Sequence, residues 1–572
     1  MSVSPRGQML WLARMTLRKV RGLCCFLPSL VMAGLHATAA QGQQVLPLGT
    51  LTPFYRATQL QGHLFGMGLE EVPPYLLGSD LAFPYRPKPG FRREVLFADS
   101  FSIVRVMGGY PEEWLRRFNI LNPTLGRRSL DYATRRPDGV LEFHPELIRA
   151  RLQPYLEAGY KPADITLALD NTPWDLATPD GQPPKLGVYG RRTPPGDLNE
   201  WAAVVRHLAE DLKAFLGSAA GDLTFETGVE YDGRPNFDGT SAEFFGYYEA
   251  TERAIHQVLP TAHFNPGEFT GSGKCVPQVP TCVYDTRDLI LFTEAHHIAP
   301  HVVPRSLHGI ADRGAPYPSL VAKALKDSYA RLPSVTPEVH QFGLLFQPFG
   351  ETSGGDTGAM QANWEFQTLI RLMVGGAPRR VFHWGTVDGP HEILNGSGFV
   401  RLVLDHYLGR QVDLLPTSEA AQPTYRSETV AVLLTGGPSP AMIISSFSLQ
   451  PDAGTREVTV DLPSRLFPAA TSLREVRFKA GEDVISVIRR DLAADSNLRR
   501  EFDACALCEA SPLAMAADIP KGRRMVVRNW PRYERLLRDS LRWKSPVSDV
   551  TVTGSRLSVK LVANEMIVLE PR

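Results

Sequence analysis

From about residue 60 to about residue 385 the apolar positions alternate between two spacings. Short runs rich in β-branched and aromatic residues occupy 63–69, 101–107, 164–170, 223–230, 262–265, 302–308, 338–345 and 380–384. Their length and composition predict strands. Longer stretches between them repeat at the helical period. Trp201, Val204, Val205, Leu208, Leu212 and Phe215 form one stripe. Asp197 and Glu200 stand as a capping-box pattern before it, and Gly217 follows its end. Phe244, Tyr247, Tyr248, Thr251, Ile255 and Val258 form a second stripe, opened by Thr240 and Glu243 and stopped by Pro260. Eight strands interleaved with helices predict an α/β fold, a (β/α)8 TIM barrel over residues 40–410. An open doubly wound sheet is the competing topology. The glycine-rich G-x-G-x-x-G signature that would support it follows none of these strands.

Beyond residue 410 the helical stripes give way to short strands at 429–434, 441–447, 457–462, 475–478, 484–489, 557–561 and 566–569. An Arg-rich insert around 495–540 interrupts them. This pattern predicts a β-sandwich over 411–572.

The first 39 residues have a different character. Arg14, Arg18, Lys19 and Arg21 precede an apolar run at 23–35, and Ala37, Thr38 and Ala39 provide a small-x-small cleavage pattern. This is the layout of a signal peptide, so a secreted or periplasmic location is expected. Later stretches fall short of the 18 uninterrupted apolar residues that a membrane span needs, and none is expected. Of six cysteines, Cys24 and Cys25 lie in the signal segment. Cys275 with Cys282, and Cys505 with Cys508, are spaced to close small disulfide loops in an oxidising compartment. A zinc site built from these four would join pairs far apart in the chain with no histidine at ligand spacing. Neither metal nor cofactor is expected.

Charge narrows the functional classes. Lys plus Arg and Asp plus Glu are both 61, so the chain lacks the positive field that holds nucleic acid. Hydrophobic residues at 43% and charged residues at 21% exclude a disordered chain. Eight Trp and 17 Tyr suffice to line a sugar site.

In a parallel barrel the chemistry gathers at the C-terminal strand ends. Arg105, Asn171, Trp174, Glu230, Tyr231, His308, Gln341 and Trp384 fall there. Flat rings, charged forks and one well-placed carboxylate suit a carbohydrate substrate, with Glu230 able to protonate a leaving glycosidic oxygen.

The run FETGVEYDGRPNFDGT at 225–240, followed by a Phe/Tyr-rich helix ending at Pro260, resembles glycoside hydrolase family 39, the clan A family of α-L-iduronidases and β-xylosidases. Ser306-Leu307-His308 resembles the family's sixth-strand S-x-H. The segment 169–176 is similar to its third-strand segment, and Arg105 falls where the family has a strand-two Arg. The resemblance implies a barrel followed by a β-sandwich, and an acid/base role for Glu230. Two positions depart from the family. Val229 replaces the Asn before the acid/base Glu. Gln341 stands where the family carries its nucleophilic Glu. A neutral amide supplies no charge to a glycosyl cation. Glu351, in a glycine-bearing loop ten residues on, is the first choice for the second catalytic carboxylate, with Glu338 and Glu294 as further candidates. Two functions follow: a secreted glycoside hydrolase, or a carbohydrate-binding protein that has lost the nucleophile.

Overall fold

The computed structural model describes residues 46–50, 55–58, 102–108, 131–157, 160–177, 184–185, 191–270, 273–275, 281–310, 317–345, 359–375 and 378–384. It also describes separate stretches between 387 and 571. All lie in one compact unit, Val45–Arg572.

Eleven strands are described in the first two thirds of the chain. They are β1 (Leu46–Thr50), β2 (Tyr55–Thr58), β3 (Ser102–Arg105), β4 (Ala133–Arg135), β5 (Leu141–Phe143) and β6 (Ile165–Ala168). β7 (Thr224–Glu226), β8 (His263–Asn265), β9 (Val302–Ile310), β10 (Thr336–Leu345) and β11 (Val381–Trp384) follow. The helices are α1 (Pro145–Glu157), α2 (Trp174–Ala177), α3 (Leu198–Leu216), α4 (Ser241–Val258), α5 (Thr286–Ala295), α6 (Pro318–Tyr329) and α7 (Ala359–Val374).

Two parallel four-stranded sheets result, ordered β3-β6-β7-β8 and β2-β11-β10-β9. A parallel bridge between Phe269, just past β8, and Arg305 of β9 links them. The seven strands expected between residues 101 and 384 are all present. The one expected at 63–69 lies outside the described residues. Residues 55–58 pair beside β11 instead. β4 and β5 form a small hairpin.

The helices follow their capping chemistry. At α4 the box is complete: Glu243 N–H donates to Thr240 Oγ1 at 3.2 Å, and Thr240 N–H donates to Glu243 Oε2 at 2.6 Å. At α3 half of the expected box forms. Asp197 accepts from the N–H groups of Asn199 and Glu200. The Glu200 side chain turns away to receive Arg135 Nη2 at 2.7 Å on each oxygen. The apolar stripes of α3 and α4 meet at Trp201, whose indole donates to Thr251 Oγ1 at 2.8 Å. These residues share the core beneath β3-β6-β7-β8 with Leu167 and Phe225.

The remaining strands are β12 (Val387–Asp388), β13 (Ile393–Leu394), β14 (Gln411–Leu415), β15 (Thr417–Ser418), β16 (Ser427–Thr435) and β17 (Ala441–Ser448). β18 (Thr455–Asp461), β19 (Ser472–Lys479), β20 (Ser548–Thr551), β21 (Arg556–Val562) and β22 (Glu565–Pro571) complete the set. They form an antiparallel sheet ordered β1-β14-β16-β17-β22-β19-β20 and a smaller one ordered β15-β18-β21. Met442 and Ile444 from the first sheet join Val458, Val460, Leu557 and Val559 from the second in one apolar cluster. Residues 46–50, read above with the N-terminal domain, pair with β14 and so belong to the C-terminal sheet. Of the strand expected at 484–489 only Val487 lies among the described residues, and its backbone is helical.

Helix α7 lies between the two architectures. Leu307, Phe342, Trp364, Leu369, Ile443 and Val568 share one cluster, so the helix is buried nearly all round. Its buried amides are hydrogen-bonded on both sides. Gln361 Oε1 accepts from Leu344 N–H at 3.0 Å, and Gln367 Nε2 donates to the Ser445 carbonyl at 3.0 Å. No helix among the described residues is long and apolar enough to cross a membrane.

Candidate active site

Glu230 sits four residues past the end of β7 in the left-handed region, at φ 56°. A non-glycine residue in this region costs about 1 kcal/mol and needs its surroundings to hold it. Its N–H donates to the Glu268 carbonyl at 3.0 Å, and its own carbonyl accepts Gly233 N–H at 3.0 Å. The β8 loop crosses directly against this turn. Gly267 has φ +75°, and a Cβ there would come within 1.7 Å of the Gly228 carbonyl oxygen. Burial raises the Glu230 carboxyl above its ordinary value, opposed by the Ser306 hydroxyl and the Asn236 amide. Asn236 Nδ2 stands 3.5 Å from Glu230 Oε2.

Two further carboxyls beside it are shifted in the same direction. Asp232 is pushed up to about 7, by burial first, although Thr270 donates to it from both N–H and Oγ1. Glu268, 0% exposed, is pushed up to about 8 by burial and then by the Glu226 charge. Glu226 ends β7 and lies in register with Ala168 and Asn265.

Opposite Glu226 stands His340. The β9–β10 register shifts between Val339 and Gln341, so His340 is the extra residue of a bulge. The bulge turns its imidazole between two buried carboxylates, with Nδ1 3.6 Å from Glu226 Oε2 and Nε2 3.0 Å from Glu338 Oε2. Burial alone would lower the imidazole. The two flanking carboxylates, Glu226 and Glu338, outweigh it and raise the group to about 9. Glu338 itself is held well below the usual carboxylate range. Burial opposes this, but His340 and Arg380 outweigh it, and the Nε atoms of Arg379 and Arg380 each lie 2.6 Å away. Imidazolium against carboxylate, beside a protonated Glu268, leaves the interior near neutrality. The donor atoms of Glu226, Glu268 and His340 lie within 4.8 Å of one another, a spacing a cation can also bridge.

Several residues singled out from sequence are used by the protein itself. Asn171 is buried, and its Oδ1 accepts Arg191 N–H at 2.9 Å. The Arg191 guanidinium forks onto buried Asp131 at 2.8 and 2.7 Å and lies 6.0 Å from the Trp174 ring. Trp174 N–H donates to the same Asp131 at 2.7 Å, and the indole is half-buried. Tyr231 is a correction: at 4% exposure its ring packs against Phe237, Phe244 and Tyr247, so it belongs to the core under α4 and offers no face to a sugar. Glu338, considered as a second carboxylate, is consumed by its two arginines and His340. Glu294 is exposed on α5. Arg105, His308, Gln341 and Trp384 have described backbone within β3, β9, β10 and β11, with side chains outside the described part. Glu351, Cys505 and Cys508 lie outside the described residues.

Cys275 and Cys282 form the expected disulfide, with Cα atoms 5.6 Å apart. Cys282 bridges antiparallel to Gly233, and Val283 N–H donates to the Asp232 carbonyl at 2.7 Å. The disulfide loop therefore backs the Glu230 turn.

No family profile matches the chain. Its fold is similar to that of a monomeric β-xylosidase from Caulobacter crescentus, over 92% of this chain and 97% of that one, at a TM-score of 0.55 and 14% identity. It is also similar to a family 39 glycoside hydrolase from Xanthomonas axonopodis pv. citri, over 85% and 95%, at a TM-score of 0.50 and 13% identity. Among curated proteins, an α-1,4-L-rhamnosidase from Formosa agariphila is 27% identical over 138 residues. That match spans 22% of this chain and about a quarter of the relative's length, 27%. The family 39 resemblance read from residues 225–260 thus extends to the fold.

Proposed function

We propose that this protein is a glycoside hydrolase acting on a carbohydrate substrate, with Glu230 as the general acid. The observation that carries the reading is the Glu230 turn. A carboxyl is held at the C-terminal end of a parallel strand, in a strained backbone conformation, with burial raising its hold on the proton. Such a group donates its proton to the glycosidic oxygen as the C–O bond breaks, and a water supplies the hydroxyl that the anomeric carbon keeps. Asp232 and Glu268 beside it are raised in the same direction, each chiefly by burial. The second, ionised carboxylate is assigned to Glu351, and Arg105, His308, Gln341 and Trp384 to substrate contact.

The two parallel sheets are read as halves of one (β/α)8 barrel, since β2 and β3 are the remaining edges. The paired antiparallel sheets are read as the β-sandwich. Residues 1–39 are assigned to export.

The test is an aryl-glycoside and oligosaccharide screen of wild type beside Glu230→Gln. The variant should lose about 10²–10⁴-fold on substrates with poor leaving groups and far less on activated ones. Equal loss on both classes would refute the acid role. Binding without turnover by wild type would refute the hydrolase reading.

A further inference from the structure

At the opposite ends of the strands from Glu230 lies a second cavity, of about 180 Å³. It opens under the first residues of β7, β8 and β9, at Thr224, His263 and Val302. Asn265, His256, His301, Glu338, Arg379 and Arg380 also line it. Arg379 and Arg380 against Glu338 leave the lining one net positive charge, counted without its histidines. Arg379 directs Nε, and Arg380 both Nε and Nη2, onto one carboxylate, Glu338, which His340 also neutralises from the interior side. Arg379 is 45% exposed and spends only Nε on Glu338, so its terminal nitrogens remain available toward the cavity among the described residues. His256 is an inert wall: Nδ1 pairs with Glu252 at 2.6 Å, and Nε2 lies 2.8 Å from the Ala262 carbonyl.

We propose that this cavity binds a small tetrahedral oxyanion, a sulfate or phosphate group, held by the terminal nitrogens of Arg379 with Arg380, His263 and His301 beside it. Guanidinium forks match the oxygens of a tetrahedral oxyanion, and a half-enclosed site strengthens the charge-assisted hydrogen bonds. His263 reports the local potential. It is lowered from the ordinary histidine value by burial first, then by Arg379, His301 and Arg380, with Glu338 opposing. A seated dianion offsets those cations and favours the imidazolium. Binding therefore takes up a proton and tightens as the pH falls, by at most about tenfold per pH unit for one linked proton. This site is independent of the hydrolase reading and is tested without turnover.

Sulfate is the probe, because its charge is constant across the histidine range. Calorimetric titration of the full chain at pH 5.5 and 7.5, at ionic strength matched with sodium chloride, should show one saturable site that is tighter at pH 5.5. Arg379→Gln, at an exposed position, should weaken it at least tenfold with an unchanged circular dichroism spectrum. His263→Asn should remove most of the pH dependence. In histidine NMR spectra the His263 titration should move upward with sulfate present. A parallel titration with glucose 6-sulfate separates the two sources of the group. Tighter, Arg379-dependent binding of the sugar sulfate marks an ester site, and weaker binding marks a free-ion site. Heats no different from sodium chloride, or sulfate affinity unchanged in Arg379→Gln, would overturn the proposal.

Discussion

Stability should fall as the pH rises from about 6.5 to about 9, with His340 as the main cause. The folded imidazole is raised to about 9 from an ordinary 6.5. The folded protein therefore holds this proton more tightly than the unfolded chain does. That contribution is complete below pH 6.5 and is lost as the pH rises through about 9. The gap corresponds to about 3 kcal/mol. Glu268, raised to about 8, and Asp232, raised to about 7, act with the same sign, because their folded forms also retain protons that the unfolded chain releases. Glu338 does not confuse the window: its carboxyl is lowered, so its contribution is lost only in acid. His256 is raised by Glu252 and acts in the same direction, so His256→Gln serves as a control. The assay is urea unfolding at pH 6, 7.5 and 9, followed by tryptophan fluorescence and compared at a common m-value. His340→Gln leaves Glu226 buried without its cation and should cost about 3–5 kcal/mol at pH 6. It should also flatten the profile between pH 6.5 and 9. A wild-type midpoint constant over that range, or a His340→Gln profile with the wild-type slope, would refute the assignment of charge to this imidazole.

Three further outcomes follow from the geometry. Gly267→Ala, whose Cβ would overlap the Gly228 carbonyl, should cost on the order of 3 kcal/mol and disorder the Glu230 turn; amide exchange at Glu230 and Gly233 reads the second effect. Replacing Cys275 and Cys282 together by Ser should cost about 2.5 kcal/mol, the loop-closure value for so short a ring, and the unreduced wild type should show no labelling of either thiol. Asp131→Ala should destabilise by about 3–5 kcal/mol by stranding the buried Arg191, and Arg191→Met in the same chain should recover most of it; a double-mutant cycle from urea midpoints decides.

How far the sequence could be read follows from the range of each signal. α3 and α4 were legible because their stripes and caps are complete within some twenty residues. Even there the Glu200 side chain left its box for Arg135, a partner 65 residues away. The parallel strands from β3 to β11 were legible as β-rich runs between helices. The pairing of residues 46–50 with 411–415 was not, because nothing local in five residues names a partner at the far end of the chain.

The site divides along the same line. Glu230 could be found from its place after a strand and from its surrounding run. Asn171 and Tyr231 carried the same positional signal, yet packing spends both on the protein itself. Glu268 was passed over although it follows β8 within three residues, a place where an acidic residue merits the attention given to Glu230. His340 is the harder case. Alternation along β10 assigns side chains to faces by parity, and one bulge between Val339 and Gln341 reverses the parity beyond it. The same bulge that brings His340 to Glu226 lies directly before Gln341. A strand position matched by spacing to a catalytic glutamate is therefore only as sound as the strand's regularity. In this chain the irregularity falls at His340, next to the position that the resemblance matches to the family's nucleophile.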